Sequence, residues 1–266
     1  MNLMSWNVAG IRACIRKNAF DFLKNENIDI LCIQETKAEE HQVKLPIWIE
    51  EMYPYRAWNS SKGTTQRKGF SGTCIWSKKE PISRIETPSF DEEGRIVALE
   101  YSKFIIVTVY TPNSQCLESE RLKYRTEYWQ SHYEEFILNL QQVKPVIMCG
   151  DFNVAHKDID LHDAEKHKNV SAGCLNIERN QFQNFIDNDF VDTFRKFNTN
   201  TGQYTYWELR IPVFRKRNIG WRIDYFLAHK KIMKYVRNAT IRPEIIGSDH
   251  CPITCELEFS PKKLIL

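Results

Sequence analysis

Apolar residues in this chain cluster in short runs that are too short for helices, and the runs tend to end on a polar residue. Residues 3–8 form a first strand that carries Asn7 at its end and is broken by Gly10. Residues 28–33 are a nearly unbroken apolar strand followed by Gln34, Glu35, Thr36 and Lys37. The stretch 145–153, Pro-Val-Ile-Met-Cys-Gly-Asp-Phe-Asn, reads as a buried strand with Asp151 and Asn153 just past its end. Gly150 is expected to let the backbone turn sharply there and deliver both side chains into a loop. Taken alone, the stretch favours a simpler role, with Asp151 capping the next turn.

Further strands are predicted at 53–58, at 70–76 and at 223–227, and a hairpin of 95–101 and 104–110 turns at Ser102 and Lys103. In 253–259, Ile253, Cys255, Leu257 and Phe259 alternate with polar residues, as a strand requires. Helical spacing occurs at 118–143, where Leu122, Trp129, Tyr133, Phe136, Ile137 and Leu140 recur at three and four and acids occupy the first turn. A second helix is predicted at 178–187, an amphipathic segment at 19–27 with Phe20, Phe22 and Leu23, and a helical turn at Ile47–Met52. Strands recur to the end of the chain with no repeat or linker, which favours one domain over 1–266.

Composition supplies a core, at 42% hydrophobic and 12% aromatic, but little net field. Lys and Arg total 37 against 34 Asp and Glu, a net charge of +3, so a polyanionic partner must be met by a local patch. Two segments could supply one. The loop 59–69 carries Lys62, Arg67 and Lys68. The segment 204–222 interleaves Tyr206, Trp207, Phe214 and Trp221 with Arg210, Arg215, Lys216, Arg217 and Arg222, and Pro212 excludes a continuous helix. Aromatic faces with guanidinium groups suit a nucleic-acid backbone and an unstacked base. The bland alternative is a solvated basic loop with half-buried aromatics.

The N-terminus turns polar at Ser5 and Asn7, and no run approaches the roughly 20 apolar residues of a membrane span, so an unexported cytoplasmic protein is expected. Most of the eight cysteines lie in apolar runs (Cys32, Cys74, Cys149, Cys251, Cys255), the pattern of buried reduced thiols.

Each polar strand-end residue could be a cap or a surface group, but together they form a set. Asn7, Glu35, Tyr110, Asn113, Asp151, Asn153, Asp224 and His250 all sit within or beside apolar strands, where a central sheet can gather them. Carboxylates dominate, and no serine or cysteine nucleophile elbow is present, which favours a hydrolase using a divalent cation and activated water. Hard oxygen ligands such as Glu35 suit Mg²⁺, and a phosphodiester is the natural target. Asp151 would position or deprotonate water. Asn7, Asn153, Tyr110 and His250 would hold phosphate oxygens, and Asp224 would keep the His250 imidazolium charged.

Seven ordered segments (5–13, 29–37, 110–114, 149–156, 159–161, 220–226 and 247–253) closely resemble exonuclease III-type apurinic/apyrimidinic endonucleases, a match running from residue 2 to about residue 258. The resemblance implies an α/β four-layer sandwich of the deoxyribonuclease I-like kind, with two packed mixed sheets between helices. It also implies Mg²⁺-dependent incision of duplex DNA 5′ to abasic sites, leaving a 3′-hydroxyl, with Mn²⁺ able to substitute. Exonuclease and 3′-end-cleaning activities on blocked ends accompany this in the family to varying degrees. A monomer with no organic cofactor is expected, nucleoid-associated, or nuclear in a eukaryote.

By position, the resemblance makes Glu35 the metal ligand with Asn7 and Asp249 near the metal, Asp151 the water-positioning residue, and Asn153, Tyr110 and Asn113 phosphate-side groups. Asp224 and His250 become the acid–imidazole pair. Tyr206, Trp221 and Ile223 would line a pocket for a flipped-out abasic sugar. Arg12, Lys17, Lys37, Lys62, Arg67, Lys68 and Arg217 would contact the DNA. Ala9 stands where the family commonly has Asn or Asp, so an auxiliary metal-proximal group is missing. The stretch 169–174 is one residue longer than the usual Asn-x-x-Gly-Phe and ends in Cys174, which leaves open whether Asn169 or Ser171 approaches the scissile phosphate. Two rivals remain: a phosphatase of inositol phosphates or sphingolipids on the same fold, and a DNA-binding scaffold that has lost catalysis.

Overall fold

The computed structural model describes residues 1–62, 69–211 and 213–259. Arg67, Lys68 and Pro212 therefore lie outside the described residues. The strands are β1 (Asn2–Asn7), β2 (Ile30–Gln34), β3 (Tyr55–Asn59), β4 (Thr73–Ser77), β5 (Ser83–Arg84), β6 (Ile96–Glu100), β7 (Ile105–Tyr110), β8 (Val146–Asp151), β9 (Phe190–Asp192), β10 (Asp224–His229), β11 (Val236–Ile241) and β12 (Ile253–Leu257). The helices are α1 (Ile11–Arg16), α2 (Ile47–Met52), α3 (Glu120–Lys123), α4 (Gln130–Val143), α5 (Ala164–His167), α6 (Asn176–Asp187), α7 (Thr193–Phe197) and α8 (Val213–Lys216).

Two six-stranded mixed sheets result, in the orders β11-β12-β1-β2-β4-β3 and β5-β6-β7-β8-β10-β9. Each sheet is buried on both faces, which explains why its central strands are continuous apolar runs rather than alternating ones. In β2, Ile30 and Cys32 pack between the sheets, while Leu31 and Ile33 face the layer that contains Ile11, Phe20 and Ile49. In β8, Ile147 and Cys149 join the inter-sheet core, and Val146 and Met148 face Trp129, Tyr133 and Ile137 of the helical layer and Phe182 and Phe185 of α6. The expected four-layer sandwich is therefore observed.

Three local expectations are corrected, and one strand, β11, is added to those predicted. The amphipathic segment 19–27 is mostly a short 3₁₀ turn, Asp21–Asn25, and the α-helix lies earlier, at α1, which buries Ile11 and Cys14. The long helix over 118–143 changes pitch: Tyr124–Trp129 forms a π-helical stretch that turns Arg125, Thr126 and Trp129 inward together. The strand β11 escaped notice because it is an edge strand with Arg237 and Asn238 exposed and a bulge between Val236 and Asn238. Gly150 does not turn the chain. It sits within β8 at φ 136°, where a Cβ would lie 2.0 Å from the Val109 carbonyl oxygen, so glycine is needed for close strand approach.

Candidate active site

Strand pairing brings the polar ends together. Asn7 of β1 is level with Gln34 of β2, and in the other sheet both Tyr110 of β7 and Asp224 of β10 are level with Asp151 of β8. Ala9, Glu35 and Asn153, each just past one of these strands, adopt positive φ of 47°, 53° and 48°. Such left-handed backbone in non-glycine residues costs energy, and its clustering here marks a constrained site.

Asp151 makes the capping bond and also faces the other polar groups. Its Oδ1 accepts from the Asn153 amide at 2.8 Å, which is the capping bond. Its Oδ2 accepts from Asn7 Nδ2 at 2.9 Å and lies 3.8 Å from His250 Nε2. Burial, reinforced by the charges of Asp224 and Glu35 and opposed by His250, raises the Asp151 pKa to about 7. The other His250 nitrogen, Nδ1, lies 2.8 Å from Asp224 Oδ2. Burial by itself would lower the imidazole's pKa, but the Asp224, Asp151 and Asp249 carboxylates outweigh it and raise the pKa to about 10, so His250 is a buried cation at neutral pH.

Asn7 spans the two sheets. Its Nδ2 donates to Glu35 Oε1 at 3.0 Å as well as to Asp151, and its Oδ1 accepts from the Ala9 amide at 3.0 Å. Glu35 is also paired with Lys37 Nζ at 2.8 Å. Burial would raise its pKa, but Lys37, Asn7 and His250 together hold it below the usual value, so the carboxylate is ionised. Tyr110 is buried beside Glu35 and Asp151, and burial with those charges pushes its phenol far up, leaving it a hydrogen-bond donor. The Arg95 guanidinium stacks 4.5 Å over the Tyr110 ring and donates to the Tyr110 carbonyl at 2.8 Å. Asn153 Nδ2 donates to the Thr111 carbonyl at 2.8 Å, and its Oδ1 accepts from Asn113 at 3.0 Å.

A cavity of about 750 Å³ is lined by Glu35, Tyr110, Asn113, Asp151, Asn153, Asp249 and His250. Tyr206, Trp221 and Ile223 line it as well, with the Tyr206 and His250 ring centroids 4.9 Å apart. Asn7 and Asp224 are not in that lining. Arg12, Lys17, Lys62 and Arg217 are exposed, whereas Lys37 is half-buried against Glu35.

Two arginines of the basic-aromatic segment do not serve a backbone contact. Arg222 is buried, with Nε on Asp160 at 2.8 Å and Nη2 on Asp192 at 2.6 Å. Arg215 stacks 4.7 Å over Trp207 and donates to the Ser248, Pro243 and Ile245 carbonyls. Both staple the loop, because a guanidinium surrounded by fixed acceptors is held by them. Sequence reasoning also missed Thr205, whose Oγ1 donates to Asp224 Oδ2 at 2.6 Å and accepts from the Ile223 and Asp224 amides. It missed Arg125 as well, which donates to the Asn153 and Phe152 carbonyls at 2.8 and 3.0 Å and pairs with buried Glu178 at 3.1 Å. Neither sits near a strand end in the sequence, so no pattern singled them out.

Ligand atoms of Asp151, Asp224 and His250 lie within 4.8 Å of one another, close enough to enclose a cation. The Glu35 and Asp249 carboxylates line the same cavity and offer the hard oxygens that suit a divalent cation.

A sequence profile of the endonuclease/exonuclease/phosphatase family matches residues 4–250. The chain belongs to this family. It is 43% identical over 258 residues to an exodeoxyribonuclease of Bacillus subtilis, covering 95% of this chain and 98% of that protein. It is 37% identical over 258 residues to a DNA-(apurinic or apyrimidinic site) endonuclease of Dictyostelium discoideum, covering 95% of this chain and 69% of the relative. Among solved structures, it superposes on a Neisseria 3′ phosphatase bound to a product DNA hairpin with TM-score 0.87, 25% identity and coverage of 97% and 100% of the two chains. An AP endonuclease from Archaeoglobus fulgidus gives TM-score 0.85, 25% identity and the same coverage. The exonuclease III-type resemblance read from the motifs is borne out. Among the described residues, no helix is long and apolar enough to cross a membrane.

Proposed function

We propose that this chain is a DNA-repair phosphodiesterase that incises duplex DNA 5′ to abasic sites with Mg²⁺, leaving a 3′-hydroxyl, and that also trims blocked 3′ ends. The observation that carries the chemistry is the buried Asp151–His250–Asp224 array, whose Asp151 and His250 line the same cavity as Glu35. The choice of substrate is supported by relatives named for action on abasic DNA and by the structural likeness to a 3′ phosphatase bound to DNA.

Asp151 accepts a proton from water as the water oxygen attacks phosphorus. The P–O3′ bond breaks, and the leaving O3′ takes a proton from solvent water to end as the 3′-hydroxyl. A pKa near neutrality lets one carboxylate be both ionised and basic enough for this step. The His250 imidazolium, fixed by Asp224, faces the charge that builds on the phosphate oxygens, and the Tyr110 phenol adds a neutral donor. Asn7 and Asn153 spend their amides on the carboxylates and the surrounding backbone, so they act as positioning residues here. Glu35, with Asp249, would hold Mg²⁺, which when bound offsets negative charge on the scissile phosphate. Tyr206, Trp221 and Ile223 shape a wall that accepts a sugar lacking its base, whose extrusion loses little stacking.

The test is a duplex carrying one tetrahydrofuran abasic analogue, incubated with Mg²⁺ and then with EDTA. Incision on the 5′ side in Mg²⁺ alone is expected. Binding without incision would leave only a scaffold, and neither binding nor incision would point to a phosphatase of small phosphate esters.

A further inference from the structure

One wall of the cavity comes from residues 162–174, which the proposed chemistry leaves unused. This loop is braced against the catalytic side: the Ala155 amide donates to the Gly173 carbonyl at 2.8 Å. A Cβ on Gly173 would meet the Asn153 carbonyl at 3.0 Å and the Trp221 ring at 3.3 Å, so the two loops touch through backbone. Asn169 is spent elsewhere. Its Oδ1 accepts from the Asn176 amide at 3.1 Å at the start of α6, and it is exposed outside the cavity lining.

Ser171 and His167 both line the cavity. His167 Nδ1 lies 3.0 Å from Ser171 Oγ, and its ring meets Trp221 edge-on at 5.0 Å between centroids. Its Nε2 has no hydrogen-bond partner among the described residues. A Ser171 hydroxyl that donates to Nδ1 would place the ring proton on Nε2.

We propose that His167, oriented by Ser171 and seated against Trp221, is a substrate-binding contact for the nucleotide entering this cavity, donating Nε2–H to an oxygen of its sugar–phosphate chain. The inference rests on the DNA-nuclease reading above. Burial, and then the Lys166 charge, lower the His167 pKa below its usual value, so the contact is that of a neutral donor rather than a counter-ion.

Steady-state incision of the tetrahydrofuran duplex by wild type, His167→Phe and His167→Gln tests this. His167→Phe keeps a ring against Trp221 and should raise KM about tenfold with kcat within about twofold, the effect of one lost neutral hydrogen bond. His167→Gln restores an N–H near the Nε2 position and should recover most of that loss. The dependence of log KM on log salt should be the same in all three, because a phosphate counter-ion would change the slope by about 0.9 when removed. A wild-type KM in His167→Phe, or a fall in kcat and Tm without a KM change, overturns the inference while wild-type incision stands. A changed salt slope overturns the neutral-donor assignment, and no incision by wild type overturns both this inference and the nuclease reading.

Discussion

Asp151 makes a capping bond with one carboxylate oxygen and turns the other toward Asn7 and His250. Its Oδ1 caps the Asn153 amide, which fixes the carboxylate plane, and that plane aims Oδ2 between Asn7 and His250. The pKa directions give the residue-scale prediction a sign. Asp151 must be ionised and His250 protonated, so kcat/KM should rise as pH climbs through about 7 and fall as it approaches about 10. Asp151→Asn should lower kcat by several orders of magnitude, on the order of the loss seen when a catalytic group is deleted, and keep abasic-DNA affinity. Measuring Kd by fluorescence anisotropy alongside kcat decides the matter: equal loss of binding would mean a structural role. A pH profile without the acid limb would remove Asp151 as the base.

At the scale of elements, the π-helical stretch between α3 and α4 is the support for the loop after β8. Its wider turn carries Arg125 inward, where the guanidinium grips two carbonyls of that loop and pairs with Glu178. Glu178 also accepts from Ser114 at 2.6 Å and from the Leu175 amide at 3.1 Å, so the same pair anchors the segment following Asn113. Arg125→Met would strand a buried carboxylate, and urea unfolding should show a loss of about 3–5 kcal/mol. The double variant with Glu178→Gln should recover part of it, because the unpaired charge is then gone. A single variant with wild-type stability would show that the pair adds nothing. The long helix was legible from its spacing at three and four, but its pitch change was not, since inward placement of Arg125 depends on the carbonyls it finds there.

For the whole molecule, a buried polar tie joins the two sheets in addition to the Asn7–Asp151 bond. Gln34 Nε2 donates to Ser5 Oγ at 3.0 Å and to Thr108 Oγ1 at 2.7 Å, joining β1 and β2 to β7 across the inter-sheet core. A cation bound at Glu35 would therefore act on both sheets through Asn7, which bridges Glu35 and Asp151. Binding only to the folded state stabilises it, by about 2.7 kcal/mol at a concentration 100 times Kd. Mg²⁺ should raise the Tm of the wild type and have little effect on Glu35→Gln in a thermal-shift assay. A full shift in that variant would move the cation to the Asp151–Asp224–His250 cluster.

Sequence by itself determined most strands and the polar residues at their ends, because both follow from local rules, while the four-layer arrangement was implied by the family resemblance. Strands buried on both faces must be unbroken apolar runs, and polar groups on such strands must sit at their ends, so Asn7, Glu35, Tyr110 and Asp151 could be picked out by position. Tertiary structure decided what distant segments do to one another. It made Arg222 and Arg215 of the basic-aromatic segment internal staples, because Asp160, Asp192 and three carbonyls lie where their guanidinium groups reach. It brought Thr205 onto Asp224 and Arg125 onto the Asn153 loop, and it assigned Asn169 to α6 and Ser171 to the cavity. Hydrogen-bond partners are fixed by distance in space, and no periodicity along a chain records who the partner will be.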